Sequence, residues 1–189
     1  MGRTAYWMVG VMMAAIILWG GHSAQAALLG YWKFEGNYLD SSGNNYHGTA
    51  YNSPGFASGV SGQALQLSAG SSQYVSTNQH AGTLGITGNF TAAAWVRPNT
   101  TSGDRTIFGT DATSTNLGLH LIIRNDRGHF GFYGNDTGGN GVIPTGQWTH
   151  LVWQFQNGQQ RIIVNGRLDA STGGHANFQN TWDPVLIGR

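Results

Sequence analysis

Two Asn-Gly pairs between residues 149 and 169 constrain the fold more than any other feature of this sequence. Asn157-Gly158 separates the alternating apolar runs Thr149–Gln156 and Gln159–Val164, and Asn165-Gly166 follows the second run directly. Asn-Gly favours the type I′ turn of a two-residue hairpin, because both residues tolerate positive φ. Strands joined in this way are antiparallel neighbours. The residues from Thr149 to Asp169 are therefore predicted to form a meander of three strands.

The rest of the chain shows the same pattern of short alternating runs closed by turn signals, and no long segment has a 3.6-residue apolar period. Loops are predicted at Asp40–Gly48, at Asn125–Gly128 and in the glycine-rich Thr137–Gly141. About ten strands without crossover helices predict an all-β fold, an antiparallel β-sandwich or barrel. The further strands are predicted at Leu28–Phe34, Thr49–Tyr51, Ala64–Leu67, Gln73–Val75, Phe90–Arg97, Thr106–Gly109, Leu117–Arg124, His129–Tyr133 and Val185–Gly188.

Composition excludes several classes of protein. Charged residues make up 9% of the 189 and glycine contributes 30 of them, which is unlike a coiled coil or a disordered, highly charged chain. The formal net charge of +1 leaves no basic footprint for nucleic acid. The chain has no cysteine, so disulfides and thiolate metal sites are excluded and the core itself must supply the stability.

The N-terminal residues 1–26 are typical of a secretory signal peptide. Arg3 gives a positive start, Tyr6–Trp19 is mostly apolar, and Ala24-Gln25-Ala26 suits a signal peptidase. The alternative is an uncleaved anchor, but a spanning helix needs about 20 apolar residues and this stretch is shorter. We predict cleavage after Ala26, a secreted or extracytoplasmic protein, and no membrane span in the mature chain.

Five short motifs occur in a fixed order along the mature chain: Gly30–Asn37, Gly59–Leu65, Phe90–Pro98, Gly146–Leu151 and Val164–Arg167. Together they resemble the laminin G-like, concanavalin A-like jelly-roll domains of secreted and cell-surface proteins. The resemblance implies a concanavalin A-like antiparallel β-sandwich over residues 27–189. Such domains usually continue beyond the strand that ends this chain. The resemblance therefore implies a C-terminally incomplete domain, with an unpaired edge at the predicted first strand.

Tryptophan and other large apolar residues predict the core. Trp95 and Trp148 can each bury a large area and are expected to anchor the facing sheets. Leu151, Trp153 and Phe155 alternate along one predicted strand and therefore share one of its faces. We expect all five side chains to lie between the sheets rather than to stack on a ligand.

The acidic residues do not form the pair of carboxylates that glycoside hydrolysis needs. The eight of them are scattered, none pairs at i, i+2 on a strand, and most fall in predicted turns. We therefore predict that the protein is not an enzyme. The alternative is a glycan hydrolase or lyase that uses Glu35 and an Asp from a distant loop. A third hypothesis is a structural or adhesion piece of a larger cell-surface protein.

Calcium is the metal that the sequence favours. It prefers oxygen ligands from Asp, Asn and backbone carbonyls, and Asp40, Asn44 and Asn45 supply such atoms within one loop. Related domains often carry a structural calcium ion, so the resemblance points the same way. The alternative is an Asx turn, in which Asp40 stabilises the loop by accepting backbone hydrogen bonds.

The function that the sequence favours is a non-catalytic recognition module that binds a glycan, or an extracellular protein, through its loops. Sugar sites combine exposed aromatic rings with amide and carboxylate side chains on loops or an open sheet face. The candidate ligand-binding residues are Tyr46, Tyr51, His80, Tyr133, Asn135, Asp136, Asn140 and Trp182.

Overall fold

A computed structural model describes residues 27–189, so the predicted signal peptide lies outside the described residues. Within this part the chain forms thirteen strands and one 3₁₀ turn, Ala69–Ser71, with no α-helix. No helix between residues 27 and 189 has the length and apolarity needed to cross a membrane. The strands are β1 Thr49–Tyr51, β2 Gly55–Ser58, β3 Gln63–Gln66, β4 Tyr74–His80, β5 Phe90–Val96, β6 Asp104–Gly109, β7 His120–Arg124, β8 Arg127–Gly131, β9 Asp136–Val142, β10 Thr149–Gln156, β11 Gln159–Val164, β12 Arg167–Thr172 and β13 Pro184–Ile187.

The strands form two facing sheets and a separate hairpin. The large sheet has seven strands in the order β1-β4-β13-β6-β7-β8-β9, and the small sheet has four in the order β12-β11-β10-β5. The hairpin β2-β3 forms its own two-stranded sheet. The pairings within the sheets are antiparallel. This arrangement confirms the predicted antiparallel β-sandwich.

The predicted meander is confirmed almost residue for residue. Asn157 and Gly158 have φ of 50° and 76°, and Asn165 and Gly166 have φ of 49° and 78°, as type I′ turns require. A third hairpin joins β7 to β8. Its turn is Asn125-Asp126, with φ of 47° and 66°, so it is two residues long and shorter than the predicted Asn125–Gly128.

The core lies between the two sheets and is rich in aromatic rings. Leu151, Trp153 and Phe155 of β10 are at most 1% exposed, so the predicted shared face is confirmed. Phe130 and Phe132 meet them from the large sheet, with ring centroids 5.2 Å apart for Phe132 and Phe155. The indole Nε1 of Trp153 donates to the carbonyl of His129 at 3.0 Å, which satisfies its only polar group.

The predicted first strand, Leu28–Phe34, is wrong. Within residues 27–189, the pairing found for this segment is an isolated bridge between Trp32 and Asp40. The backbone N–H of Tyr31 donates to the Asp40 carboxylate at 2.8 Å instead of to a neighbouring strand, and Phe34 turns into the left-handed region at φ 59°. The alternation of side chains is present, but no described strand lies beside it to form a ladder.

The predicted glycine-rich loop Thr137–Gly141 is also wrong, because it lies in β9. Its glycines allow the carboxylate of Asp169 in β12 to approach the backbone. A Cβ added to Gly139 would lie 2.6 Å from Asp169 Oδ2, and one added to Gly141 would lie 2.8 Å from Oδ1. Glycine is therefore required here by close packing between strands rather than by a turn.

The expected burial of Trp95 is wrong, and 53% of this residue is exposed. Alternation along β5 directs Phe90, Ala92, Ala94 and Val96 toward the core, so Trp95 points outward, where its ring lies 5.0 Å from that of His150. Trp148 is half-buried, with the guanidinium of Arg97 5.3 Å from its ring centroid. The sequence also missed the strand β2.

Candidate functional site

Four strands of the large sheet, β6 to β9, place a cluster of polar side chains on its outer face. Leu121 and Ile123 of β7 point into the core, so His120 and Arg124 on the same strand point outward. The ladder brings their neighbours alongside, with Asp104 opposite Arg124. In the same way, His129 lies opposite Ile122 and Asp136 lies opposite Gly131.

Part of this cluster surrounds a small open pocket of about 260 Å³. Its lining residues are His120, Arg124, Tyr133, Gly134 and Asp136. Tyr133 sits in the turn after β8 with φ 60°, and its ring meets that of His120 edge-on at 5.5 Å. The tyrosine is 38% exposed, so part of its side chain is accessible to a ligand. We call this group the outer-face pocket.

Arg124 and Asp104 form a two-pronged ion pair beside the pocket. Nε and Nη2 of Arg124 each donate to a different Asp104 oxygen at 2.7 Å. The hydrogen bond from Arg124 lowers the pKa of Asp104, and the same bond raises the pKa of Arg124. The pair fixes the guanidinium plane, since a bidentate contact restrains both position and orientation.

His129 lies beneath this pair as a neutral ring. Burial, followed by the positive charge of Arg124, lowers its pKa to about 4. Nη1 of Arg124 lies 3.1 Å from Nε2 of His129. Because a guanidinium only donates, Nε2 must accept. Burial also lowers the pKa of His120, so both rings are uncharged at neutral pH.

The carboxylate of Asp136 has free acceptor capacity. Its oxygens accept from the backbone N–H groups of Gly134 and Asn135, both at 3.2 Å. It lies 3.7 Å from Nε2 of His129 and its side chain is 25% exposed. Since an ionised carboxylate has about four acceptor positions, two long hydrogen bonds leave room for donors from a ligand.

The sequence pattern of the concanavalin A-like lectin/glucanases superfamily matches residues 69–189. The chain belongs to this superfamily. A search of curated proteins by sequence found no match.

Solved structures show the same fold. Domain 4 of AbnA, an extracellular GH43 arabinanase from Geobacillus stearothermophilus whose structure was determined with arabinotriose, is 21% identical with a TM-score of 0.68, and the match covers 85% of this chain and 82% of that one. A botulinum neurotoxin type C structure, described by its interaction with two ganglioside molecules, is 12% identical with a TM-score of 0.57, covering 85% and 42%. Likeness at this level of identity shows the fold.

In this concanavalin A-like domain, two of the predicted ligand-binding residues line the outer-face pocket, Tyr133 and Asp136. Asn135 lies next to them, but its side chain is already engaged. Its Nδ2 donates to Asn116 Oδ1 at 2.7 Å and to the Ala176 carbonyl at 3.0 Å, and its Oδ1 lies 2.6 Å from Nδ1 of His175. Asn135 therefore holds the loops around the pocket together rather than facing it.

The remaining candidates lie elsewhere. His80 ends β4, and Trp182 lies two residues before β13. The pairing of Pro184 with His80 places both at the end of the large sheet at which the Tyr133 turn also lies. Tyr51 is at the opposite end of the large sheet, stacked on Tyr74 at 4.6 Å. Tyr46 lies in the loop of Asp40, to whose carboxylate its N–H donates. Asn140 is bound to Asp169 through its N–H and its amide.

The sequence missed His120 and Arg124 as pocket residues. They lie well before Tyr133 and Asp136 in the chain, and only the β7-β8 hairpin brings them together. The one signal was that His120 and His129 flank a hairpin loop. The ladder places them diagonally on one face, since His120 pairs with Gly131 and His129 pairs with Ile122.

Both carboxylate oxygens of Asp40, in the loop predicted to hold calcium, already accept hydrogen bonds. Oδ1 accepts from the N–H groups of Tyr31 and Ser42, and Oδ2 accepts from the Ser42 hydroxyl and the Tyr46 N–H. Those donors occupy the positions where a cation would bind. Asn44 donates its amide to the Leu28 and Leu29 carbonyls. The geometry is that of the alternative interpretation, an Asx turn.

Calcium in this loop stays a prediction. Within residues 27–189, no three carboxylate, imidazole or thiol side chains come together as a metal site. Thermal unfolding with EDTA tests the prediction directly. A fall in Tm that calcium reverses would support it, and an unchanged Tm would contradict it.

Proposed function

We propose that this chain is a secreted, non-catalytic carbohydrate-binding module, and that the outer-face pocket binds a neutral sugar ring. The observation that carries the proposal is the pocket itself, which joins the exposed ring of Tyr133 to the oriented polar groups of Asp136 and Arg124. Its volume of about 260 Å³ lies below the range for drug-sized ligands, which begins near 300 Å³. This supports one small ring as the ligand.

The chemistry of the pocket suits a saccharide. A sugar presents hydroxyl groups that both donate and accept, and an apolar ring face. Asp136 accepts from hydroxyls, Arg124 donates to them, and the ring of Tyr133 covers the apolar face. The charge of Arg124 is already balanced by Asp104. This favours a neutral sugar over an acidic one, which would need an unpaired cation.

Both structural neighbours named above are described with carbohydrate ligands, arabinotriose and gangliosides respectively. Their likeness to this chain supports sugar binding as the class of function, and arabinotriose is a practical first probe.

Isothermal titration with arabinotriose and a glycan array test the proposal. We expect Tyr133→Ala to weaken binding about five- to tenfold, because a lost stacking contact is worth roughly 1–1.5 kcal/mol. Tyr51→Ala is the matched control, because Tyr51 is 42% exposed against 38% for Tyr133 and lies at the other end of the large sheet. Equal effects from the two substitutions, or no binding of any glycan by folded protein, would contradict the proposal.

Trp182 is a candidate second contact for longer saccharides. It is 78% exposed, and its loop is held by Asn180, whose Oδ1 accepts from the N–H groups of Trp182 and Asp183. We expect Trp182→Ala to weaken binding of an oligosaccharide but not of a single sugar. An equal loss for both ligands would exclude this role.

The non-catalytic and secreted parts of the proposal have their own tests. Incubation with polysaccharides should release no reducing ends, whereas release that Glu35→Gln abolishes would establish the hydrolase alternative. Expression with the native N-terminus should give an exported protein that begins at Ala27. Pull-down from a cell surface that persists after glycan removal would favour an extracellular protein as the partner.

A further inference from the structure

The outer face of the small sheet carries a charged side chain, Arg161, which lies on the opposite sheet from the outer-face pocket. In β11 this residue lies between Gln160 and Ile162, which are both buried, so its own side chain points outward. β11 has β10 on one side and β12 on the other. Arg161 is therefore inside the sheet rather than at one of its edges, and only the outer surface is open to a partner.

Three glutamine side chains hold the guanidinium of Arg161 in place. Its Nη1 donates to Gln154 Oε1 at 3.0 Å and to Gln156 Oε1 at 3.2 Å, and its Nη2 donates to Gln159 Oε1. Gln154 and Gln156 alternate with the buried residues of β10, and Gln154 is the cross-strand partner of Arg161. The ladder thus brings the four side chains to one face, and we call them the Arg161 cradle.

No carboxylate balances the charge of the Arg161 cradle. Glutamine accepts a hydrogen bond from the guanidinium but carries no charge. All eight acidic residues of the sequence lie within residues 27–189, and none of them forms an ion pair with Arg161. The one acidic residue in the four strands of the small sheet, Asp169, accepts from the backbone of β9. By contrast, Arg124 on the large sheet is paired with Asp104.

The Arg161 cradle keeps donors for a ligand. A guanidinium has five N–H groups and the glutamines accept three of them, which leaves the N–H of Nε and one of Nη2. Within residues 27–189, the buried side-chain atoms without a partner belong to Arg105 and Gln160, so Nε of Arg161 is open to solvent. Because the glutamines accept through Oε1, their amide N–H groups are turned away from the guanidinium and toward other acceptors.

The surroundings of the Arg161 cradle favour a sugar as the source of an anion. The cross-strand row that contains Gln154 and Arg161 begins and ends with exposed hydroxyl residues, Thr91 and Ser171. The next row contains half-buried apolar side chains, among them Val152. Hydroxyls, amides and an apolar strip suit the hydroxyls and ring faces of a saccharide. A nucleic acid or an anionic membrane presents many closely spaced charges and would need several cations.

We propose that the Arg161 cradle binds the acidic group of a glycan, a carboxylate or a sulfate, on the outer face of the small sheet. The oxygens of the anion accept from Nε and Nη2 of Arg161 and from the glutamine amides. The adjoining sugar hydroxyls meet Thr91 and Ser171. This second site takes a charged ligand, whereas the outer-face pocket is proposed to take a neutral one, and neither site depends on the other.

Isothermal titration with three matched trisaccharides tests the charge of the ligand. The probes are trigalacturonate, its methyl ester, which has no charge, and a sulfated galactotriose. We expect at least one acidic probe to bind, and the methyl ester to bind at least about tenfold more weakly, because hydrogen bonds to an ionised group are the stronger ones. Binding of trigalacturonate alone identifies a carboxylate as the natural group, and binding of the sulfated probe alone identifies a sulfate.

Two substitutions remove the charge of the Arg161 cradle by different routes. Arg161→Gln deletes the cation, whereas Gln154→Glu keeps the cation and neutralises it with a side chain of the same length. Each should weaken binding of the acidic probe at least about tenfold while thermal unfolding shows that the protein remains folded. Arg167→Gln is the matched control, because Arg167 is an exposed residue of the adjacent strand β12 outside the cradle. It should change binding less than about twofold.

The proposal is overturned if the methyl ester binds as tightly as the acid, if Arg161→Gln and Arg167→Gln have equal effects, or if neither acidic probe binds the folded protein. Inorganic sulfate that binds as tightly as the trisaccharides would show an adventitious ion only. An aspartate-rich peptide that binds more tightly would assign the cradle to a protein partner instead. Tyr133→Ala should leave binding of the acidic probe unchanged, and Arg161→Gln should leave binding of arabinotriose unchanged, so the two sites can fail separately.

Discussion

The small sheet ends differently at its two edges. At β12 the edge is closed against the large sheet, since Asp169 accepts from the backbone of Asn140 and Gly141 in β9 and Thr172 hydrogen-bonds Thr137. At β5 no strand within residues 27–189 pairs with the outer edge, and the inward side chains remain half-buried. The two edges of one sheet therefore differ in how far residues 27–189 cover them.

This difference shows how much of a core residue's burial comes from the next strand along. Phe90 and Phe155 belong to the same aromatic cluster, with ring centroids 6.2 Å apart, and they face each other across one ladder. Phe155 is 1% exposed because strands flank it on both sides. We therefore expect two phenylalanines in one sheet to contribute unequally to the free energy of unfolding.

The largest effect on the free energy of unfolding should come from removing the aromatic ring of Phe155, with Phe90 as the comparison. Phe155→Ala should lower the free energy of unfolding by about 3–5 kcal/mol, since it empties a closed core site. Phe90→Ala should cost roughly half as much, because its ring is already partly in water. Urea denaturation of the two variants measures both. Equal losses would show that the β5 side is as closed as the β12 side.

The free energy of unfolding should depend on pH through His129, which lies in β8 of the large sheet. Its pKa is about 4 in the folded chain against 6.5 for a free histidine. Between these values the unfolded chain binds more protons, so stability is fully present above pH 6.5 and is lost as the pH falls toward 4. The free energy of unfolding should fall by a few kcal/mol over this interval.

Denaturation curves across this interval measure the slope. His129→Gln keeps an acceptor for Arg124 and cannot titrate, so it should flatten the slope between pH 6.5 and 4. A variant that keeps the full slope would assign the dependence to another group.

Stability should also depend on pH at lower values, through Asp40. Burial alone would raise the pKa of Asp40, but hydrogen bonds from the Ser42 hydroxyl and the N–H groups of Ser42, Tyr31 and Tyr46 outweigh burial and lower it to about 2. This carboxylate stabilises the fold above pH 3.8 and that contribution is lost as the pH falls through 2. The full effect is about 2 kcal/mol.

Hydrogen exchange of the Tyr31 and Tyr46 amides measures the change locally. Asp40→Asn loses an acceptor at one of two oxygens, so it should raise exchange at one or both amides at neutral pH. Exchange that stays the same in this variant would show that Asp40 does not hold the segment 27–35.

Local signals made the C-terminal half readable from sequence. Asn157-Gly158 and Asn165-Gly166 fix their hairpins within a few residues, so the meander and the burial of Trp153 were predicted correctly. The strand order β4-β13-β6 in the large sheet was not predicted. It joins segments roughly a hundred residues apart, and no local sequence pattern encodes such contacts. The predicted strand at Leu28–Phe34 was wrong although its local pattern is that of a strand. Its alternation fits a strand, but a strand also needs a neighbour.

Two of the residues that line the outer-face pocket, Tyr133 and Asp136, were among the predicted ligand-binding residues, and their binding of a ligand stays a prediction. Tyr133 and Asp136 stand out because aromatic and acidic residues near a turn suit a sugar site. His120 and Arg124 reach the pocket only through the ladder between β7 and β8. Asn135 was named for its residue type, yet its amide serves the surrounding loops. The sequence alone does not show which polar groups already have hydrogen-bond partners, because those partners come from distant parts of the chain.

The smallest effect on the free energy of unfolding should come from weakening the contact between β12 and β9. Asp169→Ala removes the acceptors of two backbone N–H groups, those of Gly141 at 2.7 Å and Asn140 at 2.9 Å. Water can reach Asn140, so the loss should be about 1 kcal/mol, near the net value of ordinary hydrogen bonds. Hydrogen exchange should rise at Asn140 and Gly141 and remain unchanged along β5. If β5 exchange rises as well, the two edges are coupled through the small sheet, and the β5 edge depends on the β12 edge.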